Sequence, residues 1–232
     1  MGRFWDDRAR ENALFFVDSQ LEYAEPDTER FFANGEHSLD VMLGALGASL
    51  DPGDRVVEIG CGAGRQTRAL AARAAHVRAL DVSEAMLARA RELSPGLGNV
   101  EWLPGDGTSL AGIDSGSADA CVSYVVFQHL PDPELTLGYV REMGRVLRPG
   151  GWAAFQVSDD SSIHRPRWGR ARMATALRGL LGRGPRGQAN AAWRGSAVDL
   201  AELGAVAAGA GMELERAVGE GTQFCLVLLR RR

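Results

Sequence analysis

Lysine is absent from this chain of 232 residues, so all 26 of its basic residues are arginine. A Walker-type phosphate loop places a lysine beside Ser or Thr, and that class of nucleotide-binding protein is therefore excluded. Cysteine is also scarce, because the chain has only Cys61, Cys121 and Cys225, which form no CxxC pair. The four histidines show no paired spacing either. The sequence thus predicts neither a disulfide framework nor a metal site.

Long apolar runs are missing as well, since no window offers the roughly 18 consecutive apolar residues that a membrane span requires. The N terminus carries charged residues where a secretory signal peptide has its apolar centre. The net charge of −4 argues against a nucleic-acid binder, and the hydrophobic content of 45% argues against disorder. Abundant Ala, Gly and Arg are typical of a GC-rich bacterial genome. We expect a cytoplasmic globular protein with no membrane partner.

Short apolar runs alternate with helical patterns between residues 51 and 157, which indicates βαβ units and a parallel sheet. Two further strands near the C terminus are joined by a short connection suited to antiparallel neighbours. The predicted strands are 55–59, 77–80, 100–103, 118–126, 152–157, 214–218 and 224–229. The predicted fold class is α/β: a Rossmann-like, seven-stranded, mostly parallel sheet with an antiparallel edge strand and helices on both faces.

We predict one domain built from four consecutive parts. Residues 1–50 form a helical cap, and residues 51–157 form a ligand-binding core. Residues 158–197 are an arginine-rich insertion after the fifth strand, and residues 198–232 supply a final helix and two strands.

A glycine-rich turn is the sharpest motif in the chain. It reads Gly60-Cys61-Gly62-Ala63-Gly64 and lies between the first strand and the following helix. Ligands of open α/β sheets bind beyond the carboxyl ends of the strands, and glycine allows them to approach the backbone closely. The spacing departs from the dinucleotide pattern GxGxxG, because Arg65 occupies the place of its third glycine. An NAD-dependent enzyme is therefore disfavoured, and a tight turn without a ligand is the structural alternative.

Three acids at or just beyond the ends of successive strands agree with a ligand at this turn. They are Glu58, Asp81 and Asp106. The Asp81 carboxylate can accept hydrogen bonds from both hydroxyls of a ribose, and that of Asp106 can accept one from an adenine amino group. Because a ring of negative charge repels phosphate, these acids favour a cationic nucleoside that carries no phosphate.

At these motifs the sequence resembles the class I S-adenosylmethionine-dependent methyltransferases, in their small-molecule (methyltransferase type 11-like) branch. The resemblance covers residues 52–157 and the last two strands, and segments 58–64, 81–86, 105–107, 127–132 and 147–151 carry it. It implies S-adenosylmethionine as the cofactor, with Glu58 ordering the glycine loop and the methionine end. The cofactor-binding residues that it implies are Glu58, Gly60, Cys61, Gly62, Gly64, Asp81, Val82, Met86, Asp106, Gly107 and Tyr124.

In the reaction that this resemblance implies, the cofactor carries an activated methyl group. The protein mainly has to align the nucleophile with that methyl group and exclude water. A general base is needed only if the acceptor arrives protonated. His129 is the candidate base; alternatively its ring bonds the backbone as a structural residue. Gln128 and Tyr124 are candidates for orienting the cofactor or the acceptor. Trp5 either shields the site from water or packs as an ordinary aromatic residue.

The insertion carries eight arginines and no acid between residues 161 and 198. If this segment covers the acceptor, Arg165 and Arg167 are candidate contacts to an anionic small molecule. The alternative is a solvated basic face that pairs with the acidic remainder of the chain, also across a dimer. Both a monomer and a homodimer are compatible with the sequence.

The predicted function is transfer of a methyl group from S-adenosylmethionine to a small-molecule acceptor. One alternative is an RNA methyltransferase that uses the basic insertion, although the sequence has no recognisable RNA-binding module. Another is a protein that binds S-adenosylmethionine without catalysis. O-, N- and C-methylation share this cofactor-binding half, so the methylated atom stays open.

Overall fold

The structure is a computed structural model that describes residues 1–164 and 191–232. Its strands are β1 (Arg55–Ile59), β2 (His76–Asp81), β3 (Val100–Pro104), β4 (Ala118–Ser123), β5 (Leu147–Val157), β6 (Met212–Val218) and β7 (Cys225–Arg231). They form one sheet of seven strands in the order β3-β2-β1-β4-β5-β7-β6. The first five strands pair in parallel, and β7 runs antiparallel to both β5 and β6. The predicted fold class is confirmed.

The described helices are α1 (Gly2–Val17), α2 (Thr28–Leu46), α3 (Thr67–Ala71), α4 (Glu84–Leu93), α5 (Pro133–Val146), α6 (Ala191–Arg194) and α7 (Leu200–Gly209). Side-chain caps stabilise the first turn of several of these helices. The Ser83 hydroxyl caps α4 by accepting from the Met86 backbone N–H at 3.1 Å. Asp132 caps α5 by accepting from the Glu134 backbone N–H at 3.0 Å, with proline at the first helical position. In α1, Asn12 has non-helical backbone angles and divides the helix in two.

Helices cover both faces of the sheet because side chains alternate along each strand. Val57 belongs to the apolar cluster beneath α5 and α7, whereas its neighbour Val56 belongs to the cluster beneath α2 and α3. A third cluster joins α1 and α2 to α4 through residues such as Leu14, Phe31 and Met86. This third cluster fixes the N-terminal cap against the core.

The fourth strand is shorter than the apolar run that predicted it. We expected a strand over 118–126, but β4 ends at Ser123, and a 3₁₀ turn follows at Phe127–His129. The cause is Val125, a β-branched residue with φ of +58°, which turns the chain away from the sheet. Its backbone N–H donates to the Gln156 Oε1 atom at 3.1 Å. Strain of this kind persists only where the surroundings enforce it, and it concentrates at functional sites.

The helix after the glycine loop is short, since α3 covers only Thr67–Ala71. Most of the insertion, including Arg165 and Arg167, lies outside the described residues. No helix of the described chain is both long and apolar enough to cross a membrane.

Candidate functional site

A cavity of about 130 Å³ opens at the carboxyl ends of β1, β2 and β4, beneath the N-terminal cap. It is the place at which an open α/β sheet binds ligands. Most of the predicted site residues line it: Trp5, Glu58, Gly60, Cys61, Gly62, Asp81, Val82, Met86, Gly107, Tyr124 and His129.

The loop after β1 forms the floor of the cavity, and close packing requires its glycines. Gly60 has φ of +76°, and a Cβ atom there would lie 2.4 Å from the Val126 Cγ2 atom. Gly62 has φ of +54°, and a Cβ atom there would lie 2.8 Å from the Val17 Cγ2 atom. A side chain at either position would collide with the turn after β4 or with α1, so the bare backbone faces the cavity.

Two buried carboxyl groups stand beside this loop. The Thr67 hydroxyl donates to Glu58 Oε2 at 2.5 Å, and the backbone N–H groups of Gly62 and Ser83 donate to the two oxygens of Asp81, each at 2.8 Å. Burial raises the pKa of Glu58 to about 7 and that of Asp81 to about 6. Both groups are thus prepared for a ligand that brings positive charge or hydrogen-bond donors.

Three other predicted residues lie outside this cavity. Asp106 is exposed, and its carboxylate accepts hydrogen bonds from the Ser109 hydroxyl at 2.6 Å and from two backbone N–H groups of its own loop. Gly64 lies behind the loop, where a Cβ atom would be 3.1 Å from the Trp102 ring. Gln128 is buried beside Gln156. Asp106 itself is thus not among the residues that line the cavity, although its neighbour Gly107 is, and its contact with a ligand stays a prediction.

A chain of hydrogen bonds holds His129 after the strained turn. The Gln156 amide donates to Gln128 Oε1 at 3.1 Å, and the Gln128 amide nitrogen lies 3.2 Å from His129 Nε2. His129 Nδ1 lies 3.0 Å from the carbonyl oxygen of Trp193. Because a carbonyl can only accept, Nδ1 carries the proton and Nε2 is the acceptor. Burial lowers the pKa of His129 to about 4, so the ring is neutral. These contacts agree with the structural alternative, and the role as a base stays a prediction.

Aromatic rings form another part of the cavity wall. The Trp5 ring lies 5.5 Å from the His129 ring, and His129 lies 5.6 Å from Trp193. α1 is tied down by Asp6, whose carboxylate accepts from the Ser83 hydroxyl at 2.7 Å. Trp5 consequently both packs against neighbouring rings and covers the cavity.

Comparison with known proteins decides what kind of domain surrounds this cavity. Residues 57–155 match the family model described as a methyltransferase domain. This segment is therefore similar to methyltransferase domains. The match begins within β1 and ends within β5, and it includes the glycine loop, both buried carboxyls and the strained turn.

Curated relatives of this chain show the same similarity. The chain is 33% identical over 119 residues to the ubiquinone biosynthesis O-methyltransferase of Xanthomonas axonopodis pv. citri (strain 306), covering 50% of this chain and 48% of that protein. It is 37% identical over 99 residues to the demethylmenaquinone methyltransferase of Clavibacter sepedonicus, covering 43% and 39%. The chain thus spans about half the length, or less, of these curated relatives.

The fold extends beyond the matched segment. The crystal structure of an S-adenosylmethionine-dependent methyltransferase from Mesorhizobium loti superposes with a TM-score of 0.60 at 24% identity. The alignment covers 82% of this chain and 95% of that one.

The residues that line the cavity fit S-adenosylmethionine, the cofactor that the resemblance implies. The cofactor is a cationic nucleoside without phosphate, and the cavity provides two buried carboxyls and a glycine cradle. Val82 and Met86 give it an apolar patch that suits an adenine face. Within the described residues, no group of three or more His, Cys, Asp or Glu side chains could hold a metal ion.

Sequence reasoning missed several residues of the wall. Phe16, Val17 and Tyr139 line the cavity but carry no motif. Arg65 also lines it, and its signal was available: it directly follows the glycine loop. Trp193 was missed because only packing brings it to His129, which lies 64 residues earlier in the chain.

Proposed function

We propose that this chain transfers the methyl group of S-adenosylmethionine to a small-molecule acceptor. The observation that carries the proposal is one cavity that is lined both by buried carboxyls and by aromatic rings. The carboxyls suit a cationic cofactor, and the wall suits an apolar acceptor placed next to it. The names of the relatives point the same way, since they are a ubiquinone biosynthesis O-methyltransferase and a demethylmenaquinone methyltransferase.

The bound cofactor supplies a methyl group that is already activated on a sulfonium sulfur. The work of the protein is therefore binding and alignment. Each Asp81 oxygen accepts one backbone N–H and keeps a lone pair for a ribose hydroxyl. Glu58 lies beside the glycine loop and contributes negative charge near the methionine end. Val82 and Met86 remove the adenine ring from water.

The acceptor side is proposed to bind a molecule with an apolar ring. Trp5, Leu130 and Tyr139 line this part of the cavity, and Trp5 covers it from α1. A wall of this composition excludes water from the transferring methyl group, which keeps water from competing as a nucleophile. From the sequence alone, we further propose that Arg165 and Arg167 contact a negatively charged group on the acceptor.

We propose that His129 orients the acceptor instead of removing its proton. Its Nε2 atom already accepts from Gln128, and its low pKa makes it a weak base. A base role would require the ring to leave that contact.

A cytoplasmic location and a single domain complete the proposal. All three cysteines are buried free thiols, which agrees with a reducing compartment. Strands from both the core and the C-terminal part join the same sheet, which supports one folding unit.

Calorimetric titration of S-adenosylmethionine into the wild type and Asp81→Ala tests the cofactor half. We expect Asp81→Ala to weaken binding by about 1–3 kcal/mol, because buried donors lose their acceptor. Asp114→Ala, at an exposed acid away from the cavity, serves as the control and should bind like the wild type. If folded wild-type protein binds neither S-adenosylmethionine nor S-adenosylhomocysteine, the proposed function is overturned.

The acceptor half is tested by incubation with S-adenosylmethionine and a panel of ring compounds, with and without hydroxyl and carboxylate groups. Formation of S-adenosylhomocysteine that depends on the ring compound is the expected result. Turnover with RNA and none with any ring compound would favour the nucleic-acid alternative.

A further inference from the structure

Gln156 is a polar side chain in an apolar stretch of β5. Its neighbours Phe155 and Val157 are buried, and Gln156 is itself fully buried. Burying an amide costs free energy unless its polar atoms find hydrogen-bond partners. A buried strand can pack with apolar side chains alone, so packing does not account for an amide at this position.

The partners of Gln156 fix the direction of its amide group. The backbone N–H of Val125 donates to Oε1 at 3.1 Å. The Nε2 atom faces only oxygen atoms, which are Oε1 of Gln128 at 3.1 Å, the carbonyl of Val157 at 2.8 Å and the carbonyl of Gln223. If the amide were turned over, its nitrogen would face a donor and its oxygen would face acceptors. The side chain therefore has one permitted orientation.

Gln128 transmits this orientation to His129. Because Gln128 Oε1 accepts from Gln156, its amide nitrogen is the atom that lies 3.2 Å from His129 Nε2. An amide nitrogen only donates, so Nε2 has to be without a proton. On the other side of the ring, Nδ1 donates to the Trp193 carbonyl at 3.0 Å. Both neighbours thus require the same tautomer, and the hydrogen bonds run in one direction from Val125 to Trp193.

The network ends at the aromatic part of the cavity wall. His129 lines the cavity, and its ring lies 5.5 Å from the Trp5 ring and 5.6 Å from the Trp193 ring. A second proton on Nε2 would point at the N–H donors of Gln128, which cannot turn over while Gln156 holds it. Gln156 therefore opposes both protonation and rotation of the His129 ring.

We propose that Gln156 is a positioning residue that acts through Gln128: it holds His129 with its proton on Nδ1 and so keeps this ring and Trp193 in place beside the acceptor. Gln156 is not among the residues that line the cavity, so it touches neither cofactor nor acceptor. The inference rests on the proposed function for the presence of an acceptor, whereas the tautomer can be measured without one.

Nitrogen-15 NMR of histidine-labelled protein tests the network, because it reports which ring nitrogen carries the proton. The signals of His129 are assigned by their absence from His129→Asn. We expect the wild type to show a protonated Nδ1 and a bare Nε2 between pH 6 and pH 8. Gln156→Met keeps a side chain of similar length without the amide, which frees Gln128 to turn its oxygen toward Nε2. His129 should then take up its second proton about 1–2 pH units higher than in the wild type.

Kinetics test the consequence for the acceptor, with any ring compound that the wild type methylates. In Gln156→Met the KM for that compound should rise about 3- to 10-fold, because the ring that orients it is no longer fixed. The affinity for S-adenosylmethionine, measured by calorimetry, should stay within about twofold of the wild type. A loss confined to stability would leave all three quantities unchanged.

The matched control is Ser123→Ala on the adjacent strand β4. Ser123 is also buried, and its hydroxyl donates to the Ile59 carbonyl at 2.8 Å, outside the network. This variant loses a buried hydrogen bond but should keep the wild-type titration of His129. His164 also acts electrostatically on His129 and is unchanged in every variant, so it does not affect the comparison.

Thermal unfolding checks that each variant is folded. If Gln156→Met does not fold, Gln128→Glu tests the same network, because it places an acceptor opposite Nε2 and the ring should then carry both protons at pH 7. A wild-type titration in folded Gln156→Met would overturn the inference and leave the proposed function intact. So would a bare Nε2 at pH 7 in Gln128→Glu, or a wild-type ring with its proton on Nε2. Failure of the wild type to bind S-adenosylmethionine would instead overturn the proposed function.

Discussion

The two sides of the cavity are built in different ways. The polar side comes from residues 58–83, within two consecutive strand-to-helix turns, and its hydrogen bonds span short distances along the chain, such as that from Gly62 to Asp81. The aromatic side unites Trp5, His129 and Trp193, which come from three distant parts of the chain. The proposed cofactor contacts thus lie in contiguous motifs, whereas the aromatic cluster forms only once the cap and α6 have packed onto the core.

If cofactor binding by the polar side depends on the local backbone conformation, one added methyl group should weaken that binding strongly. We expect Gly60→Ala to weaken S-adenosylmethionine binding by at least about 100-fold, since the positive φ becomes strained and the new Cβ meets Val126 at 2.4 Å. Calorimetry measures the loss.

The control for this substitution is Gly98→Ala, at an exposed glycine with nothing within 4 Å of the added atom. It should bind the cofactor like the wild type. Near-normal affinity in folded Gly60→Ala would show that the loop tolerates a side chain. It would contradict the view that the polar side depends on local backbone shape.

Sequence reasoning predicted the polar side well because its signals are local. The strand predicted at 55–59 matches β1. Glu58 and Asp81 reach the cavity because parallel strands end at the same edge of the sheet.

The features that the sequence did not predict depend on contacts between distant residues, which no short sequence pattern reveals. The sequence predicts that the fourth strand continues to residue 126, yet Val125 adopts a positive φ because Gln156, from β5, accepts a hydrogen bond from its backbone N–H. Asp106 does not line the cavity, and its carboxylate accepts three hydrogen bonds from its own loop. Arg65 served only to reject the dinucleotide pattern, and its burial depends on α2 and Asp18.

The polar side should also respond to pH in a way that the aromatic side cannot. In the free protein, burial raises the pKa of Glu58 to about 7, so the group gains a proton as pH falls below that value. A cationic ligand favours the ionised carboxylate and lowers its pKa, so binding releases a proton. We expect S-adenosylmethionine to bind about tenfold more weakly at pH 6 than at pH 8, measured by calorimetry in buffers of different ionisation enthalpy.

Glu58→Gln removes this titration, and its affinity should change by less than about threefold over the same interval. The free protein should show the opposite trend in stability. Because the folded pKa lies above the ordinary value of 4.5, the contribution of Glu58 to stability is greatest below that pH and is lost as pH rises through 7. An affinity independent of pH in the wild type would mean that Glu58 does not sense the cofactor's charge.

The smallest effect is expected at His129, on the aromatic side, and two variants distinguish its possible roles. His129→Asn keeps a donor near the Nδ1 position for the Trp193 carbonyl and lacks the Nε2 acceptor, whereas His129→Ala loses both. If the ring only orients the wall, kcat should fall less than about threefold in His129→Asn and further in His129→Ala, with the affinity for S-adenosylmethionine unchanged. A general base would instead cost both variants about 10²–10⁴ in kcat, with the loss relieved at high pH as the acceptor ionises by itself. Because Nε2 already accepts from Gln128 and burial lowers the pKa of the ring to about 4, the first outcome is expected.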